Sequence, residues 1–255
     1  MTSIYSRILE KRKEGIKQLA VLIDPDKATA PSLEQTCRLA TESGADFIFV
    51  GGSLVTQGNL HLCLRHIKTF CDLPVVIFPG NSIQVDSLAD GILFLSLISG
   101  RNPEFLIGSQ VVAAPVVRDS GLEPISTGYM LIESGSTTTA VYMSNSLPIP
   151  ADKPEIASCT ALAGEMLGMK TIFLDAGSGA RNCVSEQMIK SVRKAISIPL
   201  IVGGGINTPA KALAACQAGA DIIVIGNSVE KDPLILPEIA SSVKSVTVQD
   251  NGLST

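Results

Sequence analysis

Pro199–Ser228 reads PLIVGGGINTPAKALAACQAGADIIVIGNS, and this stretch decides the fold of the chain. A short β-rich apolar run, Pro199–Val202, ends in three consecutive glycines, Gly203, Gly204 and Gly205. A helix start follows, with Asn207 or Thr208 as N-cap and Pro209 in the first helical position. Helix formers fill Ala210–Ala218, Gly219 stops them, and a second apolar run, Ile222–Ile225, ends at Gly226–Asn227. The order is strand, glycine turn, helix, strand, glycine turn. Glycine lets backbone N–H groups approach a ligand closely, and a helix start adds partial positive charge, so an anion such as phosphate suits both turns. Tight structural turns of any α/β protein are the other reading; two such turns in consecutive units favour phosphate. In an eight-stranded α/β barrel the phosphate site commonly follows strands seven and eight, where this stretch falls.

The same alternation runs upstream. Gln18–Ile23 ends at Asp24-Pro-Asp-Lys27, Phe47–Val50 at Gly51-Gly-Ser53, Pro74–Phe78 at Pro79-Gly-Asn81, and Gly91–Leu97 near Ser99-Gly-Arg-Asn102. Tyr129–Ile132, with Glu133 at its end, and Thr171–Leu174, ending in Asp175-Ala-Gly-Ser-Gly179, complete the strands. Helical patterns lie between them at Ser32–Ser43, Leu60–Phe70, before Gly91, and at Pro103–Val116, Glu155–Leu167 and Glu186–Ala195. Eight βα units of roughly 30 residues predict a single-domain (βα)8 TIM barrel over residues 1–255, with a short N-terminal helical extension and a C-terminal tail. An open doubly wound sheet would want a GxGxxG after the first strand, and none is there. SGADFIFVGGS at Ser43–Ser53 and AGADIIVIGNS at Ala218–Ser228 echo one another, which fits a repeated unit. The Thr/Ser/Pro-rich Ser136–Pro150 is a long connection after strand five, expected to pack over the active-site end.

Composition narrows the function. The net charge is −4 with scattered basic residues, which argues against nucleic acid as a partner. No apolar run approaches the roughly 20 residues needed to cross a bilayer, and MTSIYSRILEKRKEG lacks the apolar core of a signal peptide. Six cysteines occur singly, with no CxxC pair, and read as free thiols in a reducing, cytoplasmic setting. A mean hydropathy of +0.34 predicts some outer helix surface buried between subunits of a homo-oligomer.

In such a barrel the chemistry sits at the C-terminal strand ends. No histidine or cysteine lies there and no lysine lies inside a strand, so Schiff-base, thiol and histidine-base mechanisms lack their residues. Hard oxygen ligands and anion-binding turns are present instead. Asp24 with the Ser53 hydroxyl would hold Mg²⁺, which favours few carboxylates plus water and phosphate oxygens; a turn and helix cap is the other reading of Asp24-Pro-Asp. His61 and His66, with Cys63 between them, do not share a helix face and read as solvent-side residues. The apolar Val75–Phe78 and Ile92–Ile98 would line a groove for a hydrocarbon, or serve as core.

LIDPDK at Leu22–Lys27, FVGGS at Phe49–Ser53, FPGN at Phe78–Asn81 and SGRNP at Ser99–Pro103 stand in order along the chain. YMSNSLPIP at Tyr142–Pro150, LDAGSG at Leu174–Gly179, VGGGI at Val202–Ile206 and IGN at Ile225–Asn227 follow. With these motifs the chain from Gln18 to about Pro233 resembles the geranylgeranylglyceryl phosphate synthase family. The resemblance implies a (βα)8 prenyltransferase that joins sn-glycerol 1-phosphate to a polyprenyl diphosphate, expected to be geranylgeranyl, with Mg²⁺. Diphosphate would be released and an ether phospholipid precursor formed. Mg²⁺ would lie on Asp24 and Ser53, and catalysis would fall to Asp175 and Asp24. Glycerol phosphate would lie on Phe173, Leu174, Asp175, Ala176, Gly177, Ser178, Gly179, Gly203, Gly204, Gly205, Gly226 and Asn227. A dimer or hexamer, with transient membrane contact for product release, is also implied. Phe173 and Asp175 depart from the Tyr and Glu that the family often has, and Leu22 stands where some relatives carry a lysine. A phosphosugar isomerase or lyase barrel would want an acid/base pair or a buried lysine that these strand ends do not offer. A phosphometabolite-binding barrel without catalysis would leave Asp24, Ser53 and Asp175 without a task.

Overall fold

The computed structural model describes residues 3–56 and 59–246. Eight parallel strands close in sequence order: β1 (Gln18–Ile23), β2 (Phe47–Gly51), β3 (Val75–Phe78), β4 (Gly91–Leu97), β5 (Glu123–Leu131), β6 (Thr171–Asp175), β7 (Leu200–Gly203) and β8 (Ile222–Ile225). β8 pairs back to β1, with Val21 opposite Ile225, which completes the expected (βα)8 barrel. The helices are α1 (Ile4–Lys13), α2 (Ala30–Glu42), α3 (Leu60–Phe70), α4 (Ser109–Ser120), α5 (Thr139–Ser144), α6 (Pro154–Met166), α7 (Glu186–Ala195), α8 (Pro209–Ala218), α9 (Asn227–Lys231) and α10 (Leu236–Lys244). The expected C-terminal tail lies outside the described residues beyond 246.

Strand side chains alternate between two cores. Leu19, Val21, Ile48, Val50 and Leu174 face the helices, whereas Ala20, Phe47, Phe49, Val76, Ile125, Phe173, Ile201 and Val224 fill the barrel. Both faces are buried, which is why the strands read as unbroken apolar runs. Local signals set the helix starts: Thr208 Oγ1 accepts the Lys211 N–H and Pro209 opens α8, as its sequence requires.

The N-terminal rim is fastened by one repeated device. Asp46 Oδ2 accepts the Leu19 N–H at 2.8 Å, and the Asp46 N–H donates to the Leu19 carbonyl at 2.8 Å. Asp90 grips Val75 in the same way, at 2.7 and 2.8 Å, and Asp221 grips Leu200, at 2.8 and 2.8 Å. Each aspartate precedes an even-numbered strand and closes a ring with the strand before it. Cations balance the three: Lys11 and Lys244 at Asp46, Lys68 at Asp90, and Arg12, Lys17 and Arg193 at Asp221. Asp46 and Asp221 belong to the two echoing segments, so the echo records a shared closure device. Across the same end lies α1, with Ile4 and Ile8 in the inner core and the Ile4 and Tyr5 N–H groups on the Glu123 carboxylate at 2.6 and 2.9 Å.

Three expectations change. The helix expected before Gly91 is absent; turns carry the chain from β3 to β4. Asn81 Oδ1 accepts the Ile83 N–H and Asp86 Oδ1 the Leu88 N–H, and such local side-chain bonds compete with a helical ladder. β5 begins at Glu123 rather than Tyr129, because β4 pairs with it from Gly91↔Glu123 to Leu97↔Tyr129. The helical stretch after Pro103 divides into a π-helical turn, Glu104–Gly108, and α4.

Replacing Asp221 with alanine leaves three cations and a strand N–H without their acceptor. We expect a loss of about 3 kcal/mol in urea unfolding, read as a lower midpoint at unchanged slope. The ligand end of the barrel, opposite this rim, should be unaffected.

Candidate active site

Two joined cavities open at the C-terminal ends of the strands, one of about 370 Å³ and one of about 330 Å³. They share Gly52, Ser53, Leu54 and Phe78. The larger is the more polar of the two, with Asp24, Lys27, Asp175, Gly203–Gly205, Gly226, Asn227 and Glu230 in its wall. The smaller is an apolar groove between β3, β4 and α4, lined by Val85, Ile92, Phe94, Phe105, Ala113 and Val117. It occupies the side of the barrel where the helix between β3 and β4 is missing. Ala140, Met143 and Ser144, on α5, close it from above, and Thr139 reaches the polar cavity. The Ser136–Pro150 connection therefore lies over the mouth, pinned where Ile149 bridges to Ile132.

The polar cavity is built from three turns. At the end of β6, Asp175 Oδ1 accepts the Gly177 N–H at 2.7 Å, while the Ala176 N–H continues the ladder to the Gly203 carbonyl at 3.1 Å. Gly204 packs onto this turn with φ +80°, and a Cβ there would lie 2.6 Å from both Asp175 Oδ1 and the Gly177 nitrogen. No other residue fits that position. Ser178 Oγ donates to Asn227 Oδ1 at 3.1 Å, tying the β6 turn to the start of α9. Ser228 Oγ is shielded from solvent and has no hydrogen-bond partner among the described residues. A hydroxyl left open in a wall of glycine turns suits an oxyanion. Lys211 Nζ, 3.3 Å from the Gly205 carbonyl, and Lys231 add positive charge nearby. Leu22 is apolar on the β1 side, and the cation of that wall is Lys27, on the turn after the strand.

Asp175 is buried, and Tyr129 donates its phenolic proton to Asp175 Oδ2 at 2.5 Å. Burial raises the carboxyl pKa, while the bonds from Tyr129 and Gly177 pull it back in part. Burial first, and the Asp175 charge second, hold the Tyr129 pKa well above its usual value, so the phenol stays a donor. Tyr129, Phe78 and Phe173 form a ring trio with centroids 5.4–5.7 Å apart that floors the mouth.

Asp24, at the end of β1, keeps Oδ1 on the Asp26 N–H at 3.0 Å and turns Oδ2 to the Lys27 ammonium at 3.1 Å. Lys27 also reaches Glu230 Oε2 at 2.9 Å, across to α9. An ammonium already accepted by Asp24 Oδ2 marks this oxygen as a cation position, and Ser53 lines the same cavity. Among the described residues no cluster of three or more His, Cys, Asp or Glu side chains is placed to hold a metal. One carboxylate, a hydroxyl and a phosphate-bearing substrate form a donor set that fits Mg²⁺.

Of the residues singled out from the sequence, Asp24, Ser53, Phe173, Asp175, Gly177, Ser178, Gly179, Gly203, Gly204, Gly205, Gly226 and Asn227 line the polar cavity. Leu174 and Ala176 do not; the pleat turns both toward the helices, where they join the outer core. Phe173 contributes its ring to the floor and offers no polar atom. His61 and His66 line neither cavity, and His61 pairs with Asp86 at the surface. Sequence reasoning missed Tyr129 as a site residue. Its signal was parity with Leu131 on the inner face and a register partner in Phe173.

Residues 7–245 match the model of the PcrB family. A geranylgeranylglyceryl phosphate synthase of Chitinophaga pinensis is 53% identical over 240 residues, 94% of this chain and 95% of the relative. One of Thermococcus gammatolerans is 42% identical over 245 residues, 93% of this chain and 96% of the relative. The crystal structure of (S)-3-O-geranylgeranylglyceryl phosphate synthase from Thermoplasma acidophilum, in complex with its substrate sn-glycerol-1-phosphate, superposes with a TM-score of 0.90 at 34% identity. It covers 96% of this chain and 100% of that one.

Replacing Tyr129 with phenylalanine removes the bond that favours charged Asp175, so the carboxyl pKa rises further. A raised carboxyl pKa contributes stability at acid pH that is lost as pH rises through it. The variant should therefore cost about 2 kcal/mol near pH 7.5 and markedly less near pH 4, compared by urea unfolding at the two pH values.

Proposed function

The chain belongs to the PcrB family, together with the geranylgeranylglyceryl phosphate synthases it matches, and on that footing we propose that it transfers a prenyl group from a polyprenyl diphosphate to sn-glycerol 1-phosphate. The observation that carries this reading is the joining of the two cavities. A glycine-walled polar mouth meets an apolar groove at Gly52–Leu54 and Phe78, so an anionic acceptor and a hydrocarbon donor come together at one point.

Glycerol phosphate lies with its phosphate against the Gly204–Gly205 turn and the first turn of α9, where Ser228 Oγ faces it. Its hydroxyls reach Asp175. The glycerol 3-hydroxyl attacks C1 of the prenyl chain; the C–O bond forms as the bond from C1 to the diphosphate oxygen breaks, and the hydroxyl proton passes to Asp175. Burial suits that uptake, because it favours the neutral carboxyl. Tyr129 holds the carboxylate in place until then. The faces of Phe78, Tyr129 and Phe173 suit partial positive charge on the allylic carbon. Asp24 and Ser53 would hold Mg²⁺, which neutralises charge on the departing diphosphate.

The six free thiols support a reducing, cytoplasmic setting, and among the described residues no helix is long and apolar enough to cross a membrane. Ile83, Tyr142 and Leu147, all exposed near the mouth, support transient contact with a membrane surface during product release. The outer face of α4 and the turn before it expose Ile107, Val111, Val112 and Val116, which supports a homo-oligomer. Light scattering at low micromolar concentration should find at least a dimer; a monomer would contradict this part of the reading.

The chemistry is tested by incubation with labelled sn-glycerol 1-phosphate, Mg²⁺ and prenyl diphosphates of increasing length. Asp24→Ala should lose turnover and diphosphate binding, yet keep glycerol phosphate binding in calorimetry. Asp175→Ala should do the reverse, weakening glycerol phosphate while Mg²⁺-dependent diphosphate binding persists. Full Mg²⁺-dependent activity in Asp24→Ala would rule out the metal site.

A further inference from the structure

Asp24 has two oxygens and unequal demands on them. Oδ1 is engaged by the Asp26 N–H at 3.0 Å, which fixes the carboxylate in its turn. Oδ2 is the oxygen turned to a cation, and the cation it meets is the Lys27 ammonium at 3.1 Å. A divalent ion on Asp24 seeks the same oxygen, and a monovalent and a divalent cation on one oxygen repel each other strongly. Lys27 has somewhere else to go. Its Nζ already lies 2.9 Å from Glu230 Oε2, on an element 203 residues away along the chain. Half exposed, and on a flexible four-carbon stem, Lys27 changes partner by a rotamer change alone, with no movement of the backbone.

We propose that Lys27 is a built-in placeholder for the divalent cation on Asp24, and that Glu230 is the positioning residue that receives the ammonium when metal takes its place. This inference rests on the metal position assigned to Asp24 above, and goes beyond it by giving Lys27 and Glu230 tasks. The exchange keeps a cation on Asp24 Oδ2 at all times, so the carboxylate is never left facing the glycine-rich wall unpaired. It also holds the displaced ammonium at the mouth, on α9, one residue from Lys231 and three from Asn227. There it adds charge where the diphosphate must leave. Glu230 thus sets metal affinity without touching the metal.

The test is a double-mutant cycle read by Mn²⁺ binding in electron paramagnetic resonance, on the full chain without substrates and at low ionic strength. Lys27→Met removes the competitor and should bind Mn²⁺ about three- to fivefold tighter than the parent. Glu230→Gln leaves Lys27 with Asp24 as its remaining carboxylate and should bind Mn²⁺ weaker by a similar factor. In the Lys27→Met background, Glu230→Gln should have almost no further effect, since there is no ammonium to receive. A direct through-space pull of Glu230 on the metal would survive in that background, so an equal effect in both backgrounds overturns the proposal. Unchanged or weaker Mn²⁺ binding in Lys27→Met overturns it as well. Asp24→Asn, which should abolish Mn²⁺ binding, separates the levels: unchanged binding there means the metal site itself is misplaced. Thermal melts of each variant separate folding from binding, and steady-state kinetics supply a second readout, with Lys27→Met raising KM for the diphosphate even as metal binds tighter.

Discussion

Closing eight parallel strands into a ring leaves two rims of backbone groups to be finished, and the chain finishes them by opposite means. At the N-terminal rim, aspartates 46, 90 and 221 accept a strand N–H and return their own, under a cover of lysines and arginines. These clasps spend charged side chains on staying shut. At the other rim, glycine replaces side chains altogether at Gly203–Gly205, and backbone groups face outward for a ligand. The division is physical as well as functional: stability is concentrated where no substrate comes, and the mouth is freed from the task of holding the barrel together.

The floor of the mouth draws its one hydroxyl on Asp175 from a neighbouring strand. Phe173 offers no polar atom, and the phenol of Tyr129 donates to the Asp175 carboxylate from β5, one strand away. The ring of Phe173 then serves as the wall that desolvates the pair, packed edge-on to Tyr129 and stacked on Phe78. The Asp175 carboxylate stays close to its own turn, where Gly177 and Gly204 leave room for it.

Much of this architecture was legible in the chain alone. β1, β4, β8, α3 and α7 span the residues that periodicity and punctuation assign to them, because in each case a glycine, a proline or a capping side chain marks the end. The absent helix between β3 and β4 was not legible, since its segment has helix-compatible residues whose Asn and Asp side chains prefer local turns. Motif resemblance names contiguous residues, whereas a pleat presents every second one; Leu174 and Ala176 therefore fell on the far side of β6. Tyr129 was read only as a strand former. A side chain's partner on the neighbouring strand depends on register, and register is not written in a single segment.

The gap left by that missing helix separates two lengths that would otherwise be linked. A tail held along the barrel axis would have to fit a bore whose width and depth are set by eight strands at once. Here the apolar groove runs outward from the mouth between β3, β4 and α4, and Ala113 and Val117 bound it on α4, an element that the barrel does not need for closure. Residues of α4 can differ in bulk while the strands, their clasps and the glycine turns stay as they are. In the proposed reaction a hydrocarbon would be measured on α4, beside the polar mouth rather than within it, so that one could be changed without rebuilding the other.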